Sequence, residues 1–331
     1  MGALYNGGII GTGSYVPDNI ITNKDLEKIV DTSDEWIVTR TGIKERRIAD
    51  ATMATSDMAT IAAEKAIDNA GLSAKDIDLV VVATITPDNN MPSTSCIVQH
   101  NIGAVNAAAF DLSAACSGFI YALIAANQFI ASGVYKNVLV IGAESLSKFT
   151  NWSDRNTCIL FGDGAGAVVL SRVDKGYGLL SQYLGADGSG GDFLKIEAGG
   201  SRKPASLETV EKKLHFLYMD GSEVFKFAVR IMAAASEEAV KLAGLSNKDV
   251  DFLVPHQANI RIIEAARKRL KLDKEKVYIN LDRFGNMSAA SIPVALDEAV
   301  RSKIITRGHN IVMVGFGGGL TWASALMKWV Y

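Results

Sequence analysis

One cysteine of this sequence, Cys116, stands where a strand is expected to end and a helix to begin. Residues Ala109–Leu112 predict a short strand, and the uncharged residues after Cys116 predict a helix. Unpaired backbone N–H groups at a helix N-terminus favour the thiolate, which is the nucleophilic form of cysteine. The spacing therefore indicates a reactive cysteine, although this segment taken alone is more typical of a buried structural cysteine.

Two further polar residues follow strand-like segments in the second half of the chain. His256 comes after Asp251–Pro255, and Asn286 comes after Val277–Leu281. In α/β folds, reactive groups collect where loops leave the carboxyl ends of strands, so these side chains are expected to converge on Cys116. Cys-His-Asn is then a candidate catalytic set. Taken alone, His256 also fits a capping residue, and Asn286 fits a turn residue.

Three consecutive glycines, Gly317–Gly319, follow the predicted strand Ile311–Val314. A glycine turn lets backbone N–H groups approach a ligand oxygen closely, so this turn is a candidate oxyanion hole. A tight β-hairpin fits the same residues equally well. The segment Gly162–Gly166 is interpreted as a closely packed strand, and Gly11–Gly13 lacks the third glycine of a dinucleotide-binding loop.

An internal repeat indicates the elements that position these residues. The segment Ala70–Val82 is echoed by Ala243–Pro255, and predicted helices Ile61–Asn69 and Ala233–Leu242 precede the two copies. Later elements also correspond: Ala109–Leu112, the Cys116 helix and Val138–Gly142 in the first copy, and Val277–Leu281, Ser288–Arg301 and Ile311–Gly315 in the second. The sequence therefore predicts a duplicated α/β fold, with halves 1–175 and 176–331.

Composition limits the function classes of the 331-residue chain. Hydrophobic residues make up 48% of it and the formal net charge is −2, which argues against a nucleic-acid partner. The uncharged stretch 112–135 contains amide and small residues, so we interpret it as a helix buried in a large protein and expect no membrane partner. The start of the chain has no signal-peptide pattern, so we expect a cytoplasmic protein.

The remaining cysteines and the histidines predict neither a disulfide framework nor a metal site. Cys96 and Cys158 are expected to be small core residues. Three cysteines without a close pair are typical of a reducing compartment. The four histidines have no metal-ligand spacing, so no metal is expected.

The chain resembles the β-ketoacyl-acyl-carrier-protein synthase III family, the initiating condensing enzymes of type II fatty-acid synthesis. The resemblance extends from residue 8 to the C-terminus and implies a thiolase-like, five-layer αβαβα fold. Five ordered motifs carry it: Asp34–Ile43, Asp111–Phe119, Val254–Arg261, Gly285–Ser291 and Gly315–Trp322.

The resemblance implies a ping-pong acyltransferase reaction. Cys116 would accept a short acyl group from coenzyme A, and the backbone N–H groups of Cys116 and Gly318 would hold the oxyanion. His256 and Asn286 would then hydrogen-bond the thioester of malonyl-acyl-carrier protein and stabilise the enolate left by decarboxylation. The enolate would attack acyl-Cys116. No cofactor is expected.

The resemblance also implies where the two substrate carriers bind. Coenzyme A contacts are expected at Trp36, Arg40, Thr41, Arg155 and Asn259. Contacts with the acyl-carrier protein are expected at Lys226, Gln257, Arg261, Lys268 and Arg269. Basic residues cluster between positions 261 and 276 of a slightly acidic chain. This clustering favours an acidic partner, although a solvated helix face gives the same pattern.

The acyl group is expected to lie among Phe119, Leu146, Phe161 and Leu207, with Met91 reaching in from the other subunit of a homodimer. A flexible methionine would admit acetyl or short branched groups. The glycine turn lacks the second cysteine of a thiolase, and position 286 lacks the histidine of an elongating synthase. Two alternatives stay open: an acyltransferase of secondary metabolism, and a carrier-binding module without an acyl group on Cys116.

Overall fold

The computed structural model describes residues 5–331, which form two α/β halves. The strands of the first half are β1 (Asn6–Tyr15), β2 (Ile20–Thr22), β3 (Glu45–Arg47), β4 (Leu79–Ala83), β5 (Ala108–Leu112), β6 (Asn137–Ser145) and β7 (Asp163–Val173). Its helices are α1 (Asn23–Leu26), α2 (Asp34–Thr41), α3 (Thr55–Asn69), α4 (Thr94–Asn101), α5 (Gly118–Ala131) and α6 (Arg155–Cys158).

The second half follows a turn at residues 174–177. Its strands are β8 (Gly178–Ala186), β9 (Leu194–Ile196), β10 (Leu217–Met219), β11 (Phe252–Pro255), β12 (Asn310–Gly317) and β13 (Thr321–Lys328). Its helices are α7 (Leu207–Glu211), α8 (Gly221–Leu242), α9 (Ile260–Leu270), α10 (Leu281–Phe284) and α11 (Ser291–Arg301). The proposed boundary between residues 175 and 176 lies in the connecting turn and stays a prediction.

Each half is built on one main sheet. The first sheet has the order β1-β7-β6-β4-β5, in which β4 pairs in parallel with β5 and β6, and β7 pairs antiparallel with β6 and β1. The second sheet has the order β8-β13-β12-β11, in which β11 and β12 are parallel and β13 and β8 are antiparallel neighbours. The shared order confirms the predicted duplication.

The two copies of the repeat fold in the same way. In each, a long helix is followed by a glycine with positive φ, and a serine and an aspartate then cap a 3-10 turn before the next strand. The residues are Gly71, Ser73 and Asp76 in the first copy and Gly244, Ser246 and Asp249 in the second.

The copies differ where the sequence predicted a strand at Val277–Leu281, and that prediction is wrong. Val277 makes a single parallel bridge with Leu253, and α10 begins at Leu281. The side chain of Gln257 takes the place of a strand partner here. It donates from Nε2 to the Tyr278 carbonyl and accepts at Oε1 from the Asn280 N–H. A side-chain amide thus satisfies backbone groups that a ladder would otherwise pair.

The helices and sheets stack in five layers. Helices α5 and α11 lie between the two sheets, α3 covers the outer face of the first sheet, and α8 and α9 cover the outer face of the second. This is the αβαβα arrangement that the resemblance predicted. The uncharged stretch forms the buried helix α5, as expected. Within residues 5–331, no helix is long and apolar enough to cross a membrane.

The two cysteines predicted to be core residues differ in their burial. Cys158 is fully buried at the end of α6, as predicted. Cys96 is exposed, so that prediction is wrong. The helix α4 turns Thr94, Ser95 and Val98 inward, and Cys96 lies on its opposite, outer face.

Candidate active site

Cys116 lies in the 3-10 turn Ala115–Ser117, between the end of β5 and the first residue of α5. The residue is 7% exposed. Its turn packs against β12 so closely that a Cβ placed on Gly317 would lie 2.5 Å from the Cys116 backbone nitrogen. Glycine at position 317 is therefore what allows the Cys116 turn of the first half to meet the second sheet.

The environment of the thiol corrects one expectation. Burial raises the pKa of Cys116 to about 12, and the Ser288 hydroxyl acts in the opposite direction without offsetting it. The helix N-terminus was expected to lower this pKa. Taking the thiolate out of water raises this pKa by more than the hydrogen bonds of the Ser288 hydroxyl and the Cys116 N–H lower it, because most of the surrounding cavity wall is apolar.

His256 follows β11 and is 1% exposed. Its backbone N–H donates to the Val314 carbonyl at 2.8 Å, which fixes it beside β12. Among residues 5–331, neither ring nitrogen has a hydrogen-bond partner. Burial lowers the pKa of His256 to about 3. The imidazole is therefore neutral at physiological pH and can donate one hydrogen bond to a ligand.

Asn286 lies just before the 3-10 turn Ser288–Ala290 and is 8% exposed. Its Oδ1 accepts a hydrogen bond from the Ser288 N–H at 2.8 Å. The Nδ2 group is then the donor that this side chain can offer to a ligand. Its backbone forms a parallel bridge with Phe161 of the first half.

Two cavities meet at Cys116. One has a volume of about 90 Å³ and is lined by Cys116, His256 and Asn286 together. The other has a volume of about 400 Å³ and shares Cys116 and Phe161 with the first. The sequence-predicted catalytic set thus surrounds one space. Within the described part of the chain, Lys195 is the one charged side chain that lines either cavity.

The larger cavity is mostly apolar and contains part of the predicted acyl pocket. Leu146 and Phe161 line it. The wall also includes Ile85, Leu194, Ile196 and Leu217, which were not predicted from the sequence. Strands β9 and β10, which pair with each other, supply the last three of these.

Two of the predicted acyl-pocket residues line neither cavity in this single chain. Phe119 points into the core between the sheets, where it is fully buried, and it lines neither cavity. Leu207 is 84% exposed on α7 and is also absent from both walls. Met91 is 87% exposed in this single chain, so its predicted role in a neighbouring subunit stays a prediction.

The smaller cavity leads to Asn259, which caps α9. The Asn259 side chain donates from Nδ2 to the Arg40 carbonyl at 2.9 Å. The guanidinium groups of Arg40 and Arg155 lie 4.7 and 5.0 Å from the centroid of the Trp36 ring. Four of the five predicted coenzyme A residues therefore lie in one connected group, with an aromatic ring and two planar cations.

The predicted contact between coenzyme A and the fifth residue, Thr41, does not fit the position of its side chain. It is 4% exposed, and its hydroxyl both donates to the Ile37 carbonyl and accepts from the Ile43 N–H. Thr41 therefore secures the end of α2. Its side chain is not available to a ligand.

The predicted carrier-protein residues divide into exposed and buried members. Arg261 and Lys268 are exposed on α9, and the Arg261 guanidinium lies 4.4 Å from the centroid of the Phe225 ring. Lys226 and Arg269 are exposed but form ion pairs with Glu223 and Glu237. Gln257 is fully buried and bonds the backbone near Tyr278, so its assignment as a surface contact is corrected.

Comparison with known proteins agrees with this architecture. A family model for 3-oxoacyl-[acyl-carrier-protein] synthase III matches residues 110–188, and the model for the C-terminal part of the same family matches residues 240–329. The chain is 64% identical over 322 residues to the β-ketoacyl-[acyl-carrier-protein] synthase III of Caldanaerobacter subterraneus subsp. tengcongensis, covering 97% of each chain. The chain belongs to the β-ketoacyl-[acyl-carrier-protein] synthase III family.

Solved structures of synthase III proteins have the same fold. The enzyme of Aquifex aeolicus has a TM-score of 0.91 and is 49% identical, covering 98% of this chain and 100% of its own. The priming β-ketosynthase of the R1128 polyketide biosynthetic pathway has a TM-score of 0.92 and is 37% identical, covering 100% of this chain and 98% of its own.

This synthase III chain also carries polar residues near Cys116 that were not predicted from the sequence. Ser288 lines the larger cavity beside Cys116, and Glu144 is fully buried at the end of β6. The signal for Glu144 is an acidic residue directly after the apolar run Val138–Ala143. Among the described residues, no group of three or more His, Cys, Asp or Glu side chains is placed to hold a metal.

Proposed function

We propose that this chain condenses a short acyl-coenzyme A with malonyl-acyl-carrier protein to start type II fatty-acid synthesis. The products are a 3-ketoacyl-acyl-carrier protein, coenzyme A and carbon dioxide. The observation that carries the proposal is one cavity lined by Cys116, His256 and Asn286 in a member of the synthase III family. We place the reaction in the cytoplasm.

In the first half-reaction, the Cys116 thiolate attacks the acyl thioester and expels coenzyme A. The carbonyl oxygen becomes an oxyanion, which the backbone N–H groups of Cys116 and Gly318 stabilise. The contact between Cys116 and Gly317 supports this assignment, because it brings the two backbone segments together. Gly318 also lines the larger cavity.

In the second half-reaction, His256 and Asn286 donate hydrogen bonds to the thioester carbonyl of malonyl-acyl-carrier protein. Loss of carbon dioxide leaves an enolate at that oxygen, and two neutral donors in a buried cavity stabilise it. The low pKa of about 3 keeps His256 neutral, so the imidazole donates a hydrogen bond without first losing a charge. The enolate carbon then attacks acyl-Cys116. This chemistry uses side chains and backbone N–H groups of the chain itself.

The two carriers enter through the smaller cavity. Trp36, Arg40 and Arg155 form the surface for the adenine end of coenzyme A, and Asn259 contacts its pantetheine arm. Arg261 and Lys268 lie on α9, which begins at this entrance, so they are placed to receive an acidic carrier protein. Lys226 and Arg269 contribute less to the net charge there, because each is paired with a glutamate.

The acyl chain lies in the larger cavity against Leu146 and Phe161. The primer is acetyl or a short branched acyl group. A homodimer would bring Met91 of the second subunit to this cavity, and its exposed side chain is consistent with that role. A related priming synthase of secondary metabolism is the alternative, since the R1128 priming β-ketosynthase has the same fold at 37% identity.

The experiment that tests the function combines the purified protein with malonyl-acyl-carrier protein and competing acetyl-, isobutyryl- and octanoyl-coenzyme A. Mass spectrometry then follows the acyl groups on Cys116 and on the carrier protein. We expect acetyl or isobutyryl loading and the corresponding 3-ketoacyl product. Fastest loading of octanoyl overturns the short-primer assignment, and absence of any 3-ketoacyl product overturns the condensation.

A further inference from the structure

The catalytic set contains no effective acceptor for the proton of the Cys116 thiol. The thiol must lose that proton to attack, and burial makes the loss difficult by raising its pKa to about 12. His256 is a poor base, because burial lowers its pKa to about 3. Asn286 offers no basic group at all. A proton acceptor is therefore expected outside Cys116, His256 and Asn286.

A buried carboxyl group lies next to this site. Glu144 is 0% exposed, and its Oε2 accepts hydrogen bonds from the Thr86 hydroxyl at 2.6 Å and from the Thr84 hydroxyl and the Ile85 N–H at 3.2 Å. Among residues 5–331 it has no ion pair. A glutamate is rarely buried without a cation, so its position calls for a reason other than packing.

Ser288 lies in a turn that packs against both the strand of this carboxyl group and the turn of Cys116. It is 1% exposed and lines the larger cavity with Cys116. Among the described residues, its hydroxyl has no hydrogen-bond partner of normal geometry. The hydroxyl nevertheless lies near enough to lower the pKa of both Cys116 and Glu144. An unpartnered buried hydroxyl is costly, and one placed between a donor and an acceptor can bridge them after a small rotation.

A backbone hydrogen bond and the packing of its turn fix the position of Ser288. Its φ of +45° is unusual for a residue with a side chain, and its N–H donates to Asn286 Oδ1 at 2.8 Å. The 3-10 turn that begins at Ser288 packs against β6, which carries Glu144, and against the turn of Cys116. The fold thus brings one residue of the second half between two residues of the first.

We propose that Ser288 and Glu144 form a proton relay that takes the proton of Cys116 as the thiol attacks the acyl thioester. The Cys116 S–H proton moves to Ser288 Oγ, and the Ser288 hydroxyl proton moves to the Glu144 carboxylate. The new bond joins Cys116 Sγ to the acyl carbon, and the bond from that carbon to the coenzyme A sulfur breaks. The proton on Glu144 then returns through Ser288 to the departing thiolate, so that coenzyme A leaves as the thiol.

The charge state of Glu144 suits this task. Burial raises its pKa to about 7, while the Thr86 hydroxyl and the Ile85 N–H favour the carboxylate. A group with this pKa both accepts and releases protons at neutral pH. Among the titratable groups, Cys116 is near enough for the charge of Glu144 to raise its pKa. Asp163, on the adjacent strand β7, instead bonds Ser147 and the Ala49 N–H.

The relay adds a step to the proposed function and rests on that function. A pH profile of the first half-reaction tests the relay. Rapid quench and mass spectrometry follow the single-turnover acetylation of Cys116 by acetyl-coenzyme A. The pH range of about 5.5 to 9 extends roughly 1.5 to 2 pH units to either side of the Glu144 pKa. For the wild type we expect a rate that rises with pH and levels off near pH 7, where Glu144 becomes ionised.

Two variants remove the relay at different points. Glu144→Gln and Ser288→Ala should each slow acetylation at neutral pH by roughly a hundredfold, and the rate should keep rising with pH because hydroxide replaces the lost base. The double variant should be no slower than either single variant, since both residues act in one path. Glu144→Asp should recover part of the plateau. A purely structural role would not replace the plateau with a continuous rise.

Asp163→Asn is the matched control, because it changes another buried carboxyl group in the same sheet. This variant should keep the plateau. A plateau near pH 7 that persists in Ser288→Ala or in folded Glu144→Gln overturns the relay. Failure of the wild type to accept an acetyl group at any pH would instead contradict the proposed function, so the two failures are distinguishable.

Discussion

Asn286 of the second half and Phe161 of the first half form a parallel β-bridge. The Asn286 N–H donates to the Leu160 carbonyl at 2.8 Å, and the Gly162 N–H donates to the Asn286 carbonyl at 3.0 Å. These bonds hold the backbone of Asn286 beside Phe161, which lines both cavities, whatever the side chain at position 286. A substitution at position 286 should therefore remove the side-chain donor and leave the wall in place.

Asn286→Ala should separate the two half-reactions. Acetylation of Cys116 should slow much less than decarboxylation, because the proposed oxyanion hole consists of backbone groups and Asn286 affects this step only by holding the Ser288 N–H. Decarboxylation of malonyl-acyl-carrier protein should fall by roughly a hundredfold or more, the usual cost of removing one donor from an oxyanion site. Single-turnover acetylation and release of labelled carbon dioxide measure the two steps separately. Equal loss of both would assign Asn286 a structural role.

Gly317→Ala should disable the nucleophile turn. The added Cβ would lie 2.5 Å from the Cys116 nitrogen, so the turn or β12 must move. Because a shift of the nucleophile relative to its oxyanion donors is costly, we expect acetylation to slow by roughly a hundredfold. Gly200→Ala is the matched control, since a Cβ there meets nothing within 4 Å. Normal acetylation by Gly317→Ala would contradict the packing of this turn.

The duplication and the meeting of Cys116, His256 and Asn286 at one cavity could be predicted from the sequence, because they depend on a repeated segment and on where strands end. The repeat around Ala70 and Ala243 and the strand ends before His256 and Cys116 are of this kind. The pKa of Cys116 could not be predicted in this way. Its direction depends on burial between the two halves, which no single segment of the sequence shows.

The burial of individual side chains could not be predicted from the sequence either. Phe119 and Gln257 lie inside motifs that carry the family resemblance, yet one packs in the core and the other replaces a strand partner. The wall formed by β9 and β10 arises from residues distant in sequence from Cys116. No period or motif in the chain connects Leu194 or Leu217 with the nucleophile.

The neutral state of His256 predicts a specific dependence of stability on pH. Unfolded histidine binds a proton below pH 6.5, whereas folded His256 binds one near pH 3, so acidification through this window favours the unfolded state. Between pH 7 and pH 5, the wild type should lose about 2 kcal/mol more unfolding free energy than His256→Gln. Urea unfolding at both pH values measures the difference. An equal loss in the two proteins would mean that His256 is protonated in the fold.

The proposed docking surface on α9 predicts an effect confined to one substrate. Arg261→Glu and Lys268→Glu should raise the KM for malonyl-acyl-carrier protein by roughly tenfold, and the effect should weaken at high salt. Acetylation by acetyl-coenzyme A should change little. Lys75→Glu, an equal charge change on an exposed turn of the first half, is the control. If the control raises this KM as much as the α9 variants do, docking does not occur at α9.

The central claim is that Cys116 carries the acyl group between the two half-reactions. The most direct measurement is mass spectrometry of peptides from protein incubated with acetyl-coenzyme A, without the second substrate. We predict that the peptide containing Cys116 gains one acetyl group and loses it when malonyl-acyl-carrier protein is added, and that Cys116→Ser gains no acetyl group at this position and forms no product. Condensation by a wild-type protein whose Cys116 peptide never carries an acetyl group would contradict the account.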